Sequence, residues 1–135
     1  MNDSETDSPS IKALIVFREN GETDNLFVPI LCDAIRMAGI DVRCSTKEFW
    51  DSDKHYDIIH FQWPEEVVGW ACNDPDIIRR LEERISLFRS RGTRFVYTRH
   101  NVRPHYANGI ISRAYDIIES QSDIVVHMGR FSRDE

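Results

Sequence analysis

Glycine is scarce in this chain, with six in 135 residues. The shortage falls where it matters most. After the apolar run Ala13 to Phe17 comes Arg18-Glu19-Asn20-Gly21-Glu22-Thr23, which holds one glycine. A dinucleotide-binding unit needs several glycines at that turn so that phosphates can approach the backbone. No G-x-x-x-x-G-K-S/T string occurs, which excludes a P-loop NTPase at the motif level. Cysteine is equally sparse. Cys32, Cys44 and Cys72 form no C-x-x-C pair, so neither a zinc knuckle nor a disulfide framework is indicated, and a reducing cytoplasm is the simplest setting. No apolar run approaches the roughly 18 residues of a membrane span. Basic charge is the minority sign, 17 Lys and Arg against 23 Asp and Glu for a net charge of −6. That balance argues against nucleic acid as a partner, because general nucleic-acid binding needs a basic footprint.

What is present reads as one soluble α/β domain. Residues 1–10 are polar and acidic, with no apolar segment, and read as a disordered leader rather than a signal peptide. Residues 11–135 read as the folded unit. Ala13-Leu14-Ile15-Val16-Phe17 is a continuous apolar run, the pattern of a strand buried on both faces of a parallel sheet. Phe27, Ile30, Leu31, Ala34, Ile35 and Ala38 then follow the spacing of one helix face, with Pro29 in the first turn and Gly39 at the stop. Ile40 to Cys44 and Asp57 to Phe61 read as the second and third strands. Gln62 to Asn73 reads as a long irregular loop with two tryptophans, Trp63 and Trp70. Asp74-Pro75 opens the next helix, with Asp74 as N-cap, an apolar face of Ile77, Ile78, Leu81, Ile85 and Phe88, and Gly92 at its end. Thr93 to Thr98 is the fourth strand, Ile110 to Ile118 a further helix, and Ser122 to His127 the fifth strand.

Strands alternating with helices predict βαβ units. The expected fold is a Rossmann-like, doubly wound parallel sheet with helices on both faces. Eight residues follow His127. None of them resembles a closing helix, so the sheet reads as part of a larger architecture.

Other nucleotide-binding readings fare poorly. A flavodoxin calls for a hydroxyl-rich phosphate loop after the first strand, where Thr23 stands alone. A phospho-receiver calls for an aspartate at the end of the third strand, where Phe61-Gln62 stands instead. His60, His100 and His105 lack a metal-ligand spacing, since Pro104 breaks any helix through His100-x4-His105. Neither metal nor cofactor is expected.

Chemistry concentrates at two strand ends. Asp57-Ile58-Ile59-His60 leads into Phe61-Gln62-Trp63-Pro64-Glu65, and Arg94-Phe95-Val96 leads into Tyr97-Thr98-Arg99-His100-Asn101-Val102-Arg103-Pro104-His105. Parallel α/β sheets bind ligands beyond the carboxyl ends of their strands, so both junctions are expected to serve one site.

Together these two elements resemble the acceptor-side N-terminal domain of B-fold (GT-B, two-Rossmann-domain) glycosyltransferases of the group 1, family 4-like kind. The similar features are a strand ending in His-x-x-Trp-Pro-Glu and a later strand ending in Thr-x-His-Asn with Pro-His nearby. Tyr115-Asp116 and Ser122 to Met128 resemble the helix and strand that follow. The resemblance spans about Ile11 to Met128. It implies transfer of a sugar from a nucleotide-sugar donor to a hydroxyl acceptor, such as a growing polysaccharide or a lipid-linked glycan. The donor would be held by a C-terminal domain, with a cytoplasmic location and peripheral contact with the inner membrane face. The alternative is a stand-alone α/β binding or interaction module without catalysis.

Each candidate residue has two readings. By the resemblance, His100 faces the reacting sugar, and its near-neutral pKa suits proton exchange with a hydroxyl; otherwise it caps a strand end. Asn101 bonds a sugar hydroxyl or holds the turn before Pro104. His105 is a further substrate-binding candidate beside it. Trp63 and Glu65 form a platform of aromatic face and carboxylate, or else a packed indole and an exposed acid. Arg99 and Arg103 meet an anionic acceptor such as a lipid phosphate, or form a solvated surface pair. Gly21 is the one place near the first strand where a donor phosphate could approach the backbone. His60, inside an apolar run, reads as a hydrogen-bonded core histidine.

Overall fold

The computed structural model describes residues 10–19, 26–100 and 109–129. Five strands form one sheet: β1 (Lys12–Val16), β2 (Asp41–Cys44), β3 (Ile58–Phe61), β4 (Arg94–Arg99) and β5 (Ile124–His127). All neighbours run parallel, in the order β2-β1-β3-β4-β5. The fold is therefore Rossmann-like α/β, as the alternation of strand and helix patterns predicts. After β1 the chain steps outward to β2, and after β3 it steps the other way, so the direction of winding reverses between β1 and β3. That reversal is the topological switch point, where sheets of this kind bind ligands beyond the carboxyl ends of their strands.

The sheet has two unequal sides. Ala13, Ile15, Phe17 and Val42 face α1 (Phe27–Met37) and its buried Val28 and Cys32. Leu14, Val16, Ile59, Phe61, Phe95 and Tyr97 face the larger core. That core is covered by α2 (Thr46–Asp51), α3 (Pro64–Val68), α4 (Ile77–Ser90) and α5 (Gly109–Gln121). It is rich in rings: Phe49 touches Trp50, Phe61 and Phe88, and Phe61 stacks on Phe95 with centroids 5.7 Å apart. Each buried phenyl ring contributes about 2–3 kcal/mol of transfer free energy. On the α1 side, α1 is the only packed helix among the described residues. Ile124 and Val126 of β5 are 59% and 41% exposed there, which is unusual for a strand in a parallel sheet.

Two short helices depart from the sequence reading. Residues 46–51 form α2 because Ser45 caps them: its Oγ accepts from the Glu48 N–H at 3.0 Å. Ser-x-x-Glu is a capping-box spacing. Within the stretch expected to be irregular, α3 forms because Pro64 stands at the first helical position and Glu65 and Glu66 fill the first turn. It stops at Gly69, whose φ of +102° suits glycine and strains other residues. The helix expected to open at Asp74-Pro75 begins at Ile77 instead. Asp74 Oδ1 accepts from the Asp76 N–H at 3.0 Å, so Asp74 makes a turn that precedes the helix rather than its cap.

Candidate functional site

Because every strand runs the same way, the ends of β1, β3 and β4 open on one edge. Phe17, Arg18 and Glu19 leave β1, Gln62 and Trp63 leave β3, and His100 leaves β4. The start of α1 crosses the same edge and contributes Phe27.

His100 is the centre of this group. Its ring stacks on the Trp63 indole with centroids 3.9 Å apart and planes 13° from parallel. Phe27 makes a T-shaped contact with the imidazole, with centroids 4.9 Å apart. Phe17 lies 5.9 Å from Trp63 and closes the cluster toward β1. In the ring plane, His100 Nε2 stands 2.7 Å from Oε1 of Gln62, a residue with no exposed surface. A carbonyl oxygen only accepts, so Nε2 carries the hydrogen in this pair. Burial lowers the His100 pKa below its ordinary value, which favours the neutral ring.

A second histidine lies one strand pair deeper. His60 Nε2 and Thr98 Oγ1 are 2.7 Å apart across β3 and β4. Burial, helped by the nearby His100, pushes His60 down to about 4. His60 is thus a half-buried, hydrogen-bonded neutral histidine between β3 and β4.

Toward β2, Ser45 Oγ donates to Glu19 Oε1 at 2.5 Å. On the β1–β3 side, Arg18 pairs with Glu66, and the Trp70 N–H donates to the same carboxylate at 2.8 Å.

The sheet divides the residues expected to work together. Trp63 and His100 lie on the α1 side. Glu65 lies on the other, within the larger core, and is fully buried. Its Oε1 accepts from the Tyr115 hydroxyl at 2.5 Å. Glu65 is therefore neither an exposed acid nor a partner to the Trp63 face. Arg99 also points away from His100, because successive residues of β4 alternate sides. It is 8% exposed and lies 3.5 Å from Glu119 of α5. It is therefore not a solvated side chain, and it faces α5 rather than the side of the sheet that carries His100. Asn101, Arg103, His105 and Gly21 lie outside the described residues.

Gln62 and Phe27 join the site without having been singled out as site residues. Gln62 carried a legible signal, being an amide at the end of an otherwise apolar strand. Phe27 carried none, since it reads equally well as part of the helix stripe. Among the described residues, no group of three or more His, Cys, Asp or Glu side chains is placed to hold a metal ion. No described helix is long and apolar enough to cross a membrane.

Comparison with protein-family models, curated proteins and solved structures finds no match to this chain.

Proposed function

We propose that this chain forms the acceptor side of a GT-B glycosyltransferase, in which His100 meets the hydroxyl that receives the sugar. One observation carries the reading: a histidine stacked on a tryptophan at the carboxyl edge of a parallel sheet, next to its switch point. Ligands of such sheets bind at that edge. Aromatic faces suit the apolar faces of sugar rings, and a neutral imidazole suits the hydroxyls at their rims. In the proposed reaction the acceptor oxygen forms a bond to the anomeric carbon of a nucleotide-sugar. The bond from that carbon to the diphosphate breaks, and the diphosphate leaves with the electron pair. The hydroxyl proton passes to His100. Stabilising the departing diphosphate is work for cations or helix N-termini of a donor-binding domain. The acceptor is a glycan or a lipid-linked sugar, the latter reached by peripheral contact at a membrane surface.

Saturation-transfer NMR with a panel of oligosaccharides tests the acceptor role. Binding should perturb the Trp63 indole N–H and the His100 ring protons. His100→Ala should weaken it while leaving the circular dichroism spectrum intact. In the donor-bearing enzyme the same substitution should cut turnover by roughly 10²–10⁴-fold. Normal turnover in a folded His100→Ala enzyme overturns the role of His100.

A non-catalytic binding module is the second reading. The contacts of His100 with Trp63 and Phe27 favour it, because a ring held by two aromatic neighbours serves recognition as well as proton transfer. Saccharide binding without transfer in the donor-bearing protein would select it.

A further inference from the structure

We propose that Gln62 is the positioning residue of the site: it holds the His100 proton on Nε2 and leaves Nδ1 as the nitrogen that accepts. The proposal deepens the transferase reading and rests on it for its catalytic consequence, but not for its geometry.

Three contacts fix the imidazole. Trp63 covers one face, Phe27 meets the ring edge-on, and Gln62 Oε1 sits 2.7 Å from Nε2. The aromatic contacts set the plane of the ring. Only the amide distinguishes the two nitrogens, because an oxygen acceptor requires a hydrogen on the atom it faces. With Nε2–H committed to Gln62, the neutral ring keeps its lone pair on Nδ1, which has no hydrogen-bond partner among the described residues. If Nδ1 takes a proton from an acceptor hydroxyl, the imidazolium keeps its bond to Gln62 unchanged. The amide serves both protonation states, and the ring need not turn between them.

A second feature sets Gln62 apart from a packing residue. It has no exposed surface, yet its Nε2 finds no acceptor. Buried amides in cores are normally satisfied at both ends, and an orphaned one calls for an explanation. Here the orphan follows from aiming the oxygen at His100. A reversed amide would present N–H to the ring and impose the opposite tautomer, with the hydrogen on Nδ1. Gln62 is also uncharged. A carboxylate in its place would favour imidazolium, whereas the amide orients the ring and leaves it neutral. The nearby His60 is itself held neutral at pH 7 by burial and is hydrogen-bonded to Thr98.

Long-range proton–nitrogen NMR on the nitrogen-15-labelled chain tests this directly. At neutral pH, His100 should show the Nε2–H tautomer. In Gln62→Leu, that preference should collapse toward a mixture or toward Nδ1–H. In Gln62→Glu, which keeps the size and the acceptor, the tautomer should persist and the His100 titration should move upward by about one to three pH units. In the donor-bearing enzyme, Gln62→Leu should lower kcat about tenfold or more with little change in acceptor KM. Gln62→Glu should restore part of the rate and shift the acid limb of the profile upward. A wild-type Nδ1–H tautomer overturns the proposal. So does an unchanged His100 spectrum in a folded Gln62→Leu or Gln62→Glu protein. If the NMR results hold and no saccharide is bound or transferred, the transferase reading fails while the role of Gln62 in orienting His100 stands.

Discussion

The rings of His100 and Trp63 lie face on face, 3.9 Å apart, although they come from different strands and are separated by 36 intervening residues. The contact makes Trp63 a reporter of His100, because a protonated imidazole quenches an indole stacked on it. Emission should fall as pH is lowered, with a midpoint below the ordinary histidine value of about 6.5. Burial holds the His100 pKa down, which sets that direction. Trp63→Phe should remove the pH-dependent component and leave the Trp50 and Trp70 signals. A midpoint at or above 6.5 would contradict the burial of the ring.

His60 should make the fold acid-sensitive. Its pKa is about 4 in the folded protein and the ordinary 6.5 in the unfolded chain. Between those values the unfolded state binds the extra proton, so stability is fully present above pH 6.5 and is lost as pH falls toward 4. The loss should be roughly 2–3 kcal/mol, discounted for residual solvent access. Urea denaturation at pH 7 and pH 4 measures it. His60→Asn should be less stable at pH 7 and show a flatter dependence over this range.

Tyr115→Phe should destabilise by about 1–3 kcal/mol, because it removes the donor to a carboxylate that stays buried. Glu65 Oε2 already has no hydrogen-bond partner, so the remaining oxygen would be orphaned beside it. Pairing Tyr115→Phe with Glu65→Gln should cost less than the sum of the single changes. Additive unfolding energies would show that the two side chains act independently.

Ser45→Ala should cost about 1 kcal/mol or more in thermal or chemical unfolding. It removes the N-cap of α2 and leaves Glu19 without its hydroxyl donor. Ser45→Asp should recover the cap but repel Glu19, giving intermediate stability. Wild-type stability in Ser45→Ala would mean that α2 is held by Phe49 and Trp50 packing alone.

Strand positions were readable because continuous apolar runs and the helix stripes at Phe27–Ala38 and Ile77–Phe88 are strong periodic signals. The parallel sheet then followed from their alternation. The short helices were not read, although Ser45-x-x-Glu48 and Trp63-Pro64-Glu65-Glu66 carry recognised start signals. Five or six residues are too few to establish a helical period, so only the capping chemistry could reveal them. At the site, the shared edge followed from two polar strand ends in one sheet, but the stacking of Trp63 on His100 was not legible there. Nor were the fates of Glu65 and Arg99. Which side of the sheet Glu65 faces depends on the turn after β3, and α3 carries it to the opposite side from its near neighbour Trp63, while Arg99 turns away because β4 runs on through it and alternates sides.

That division gives β4 two unrelated duties. Its odd-numbered residues, Phe95, Tyr97 and Arg99, supply the core and the Glu119 pair, while Thr98 binds His60 and the strand delivers His100 to Trp63. A slip of one residue would exchange these inventories, presenting a guanidinium to the indole and an imidazole to the acid of α5. The hydrogen bond that the Phe95 N–H donates to the Asp123 carboxylate therefore acts as an alignment pin. It lies at the opposite end of the strand from the site, and it fixes which side chain the site receives.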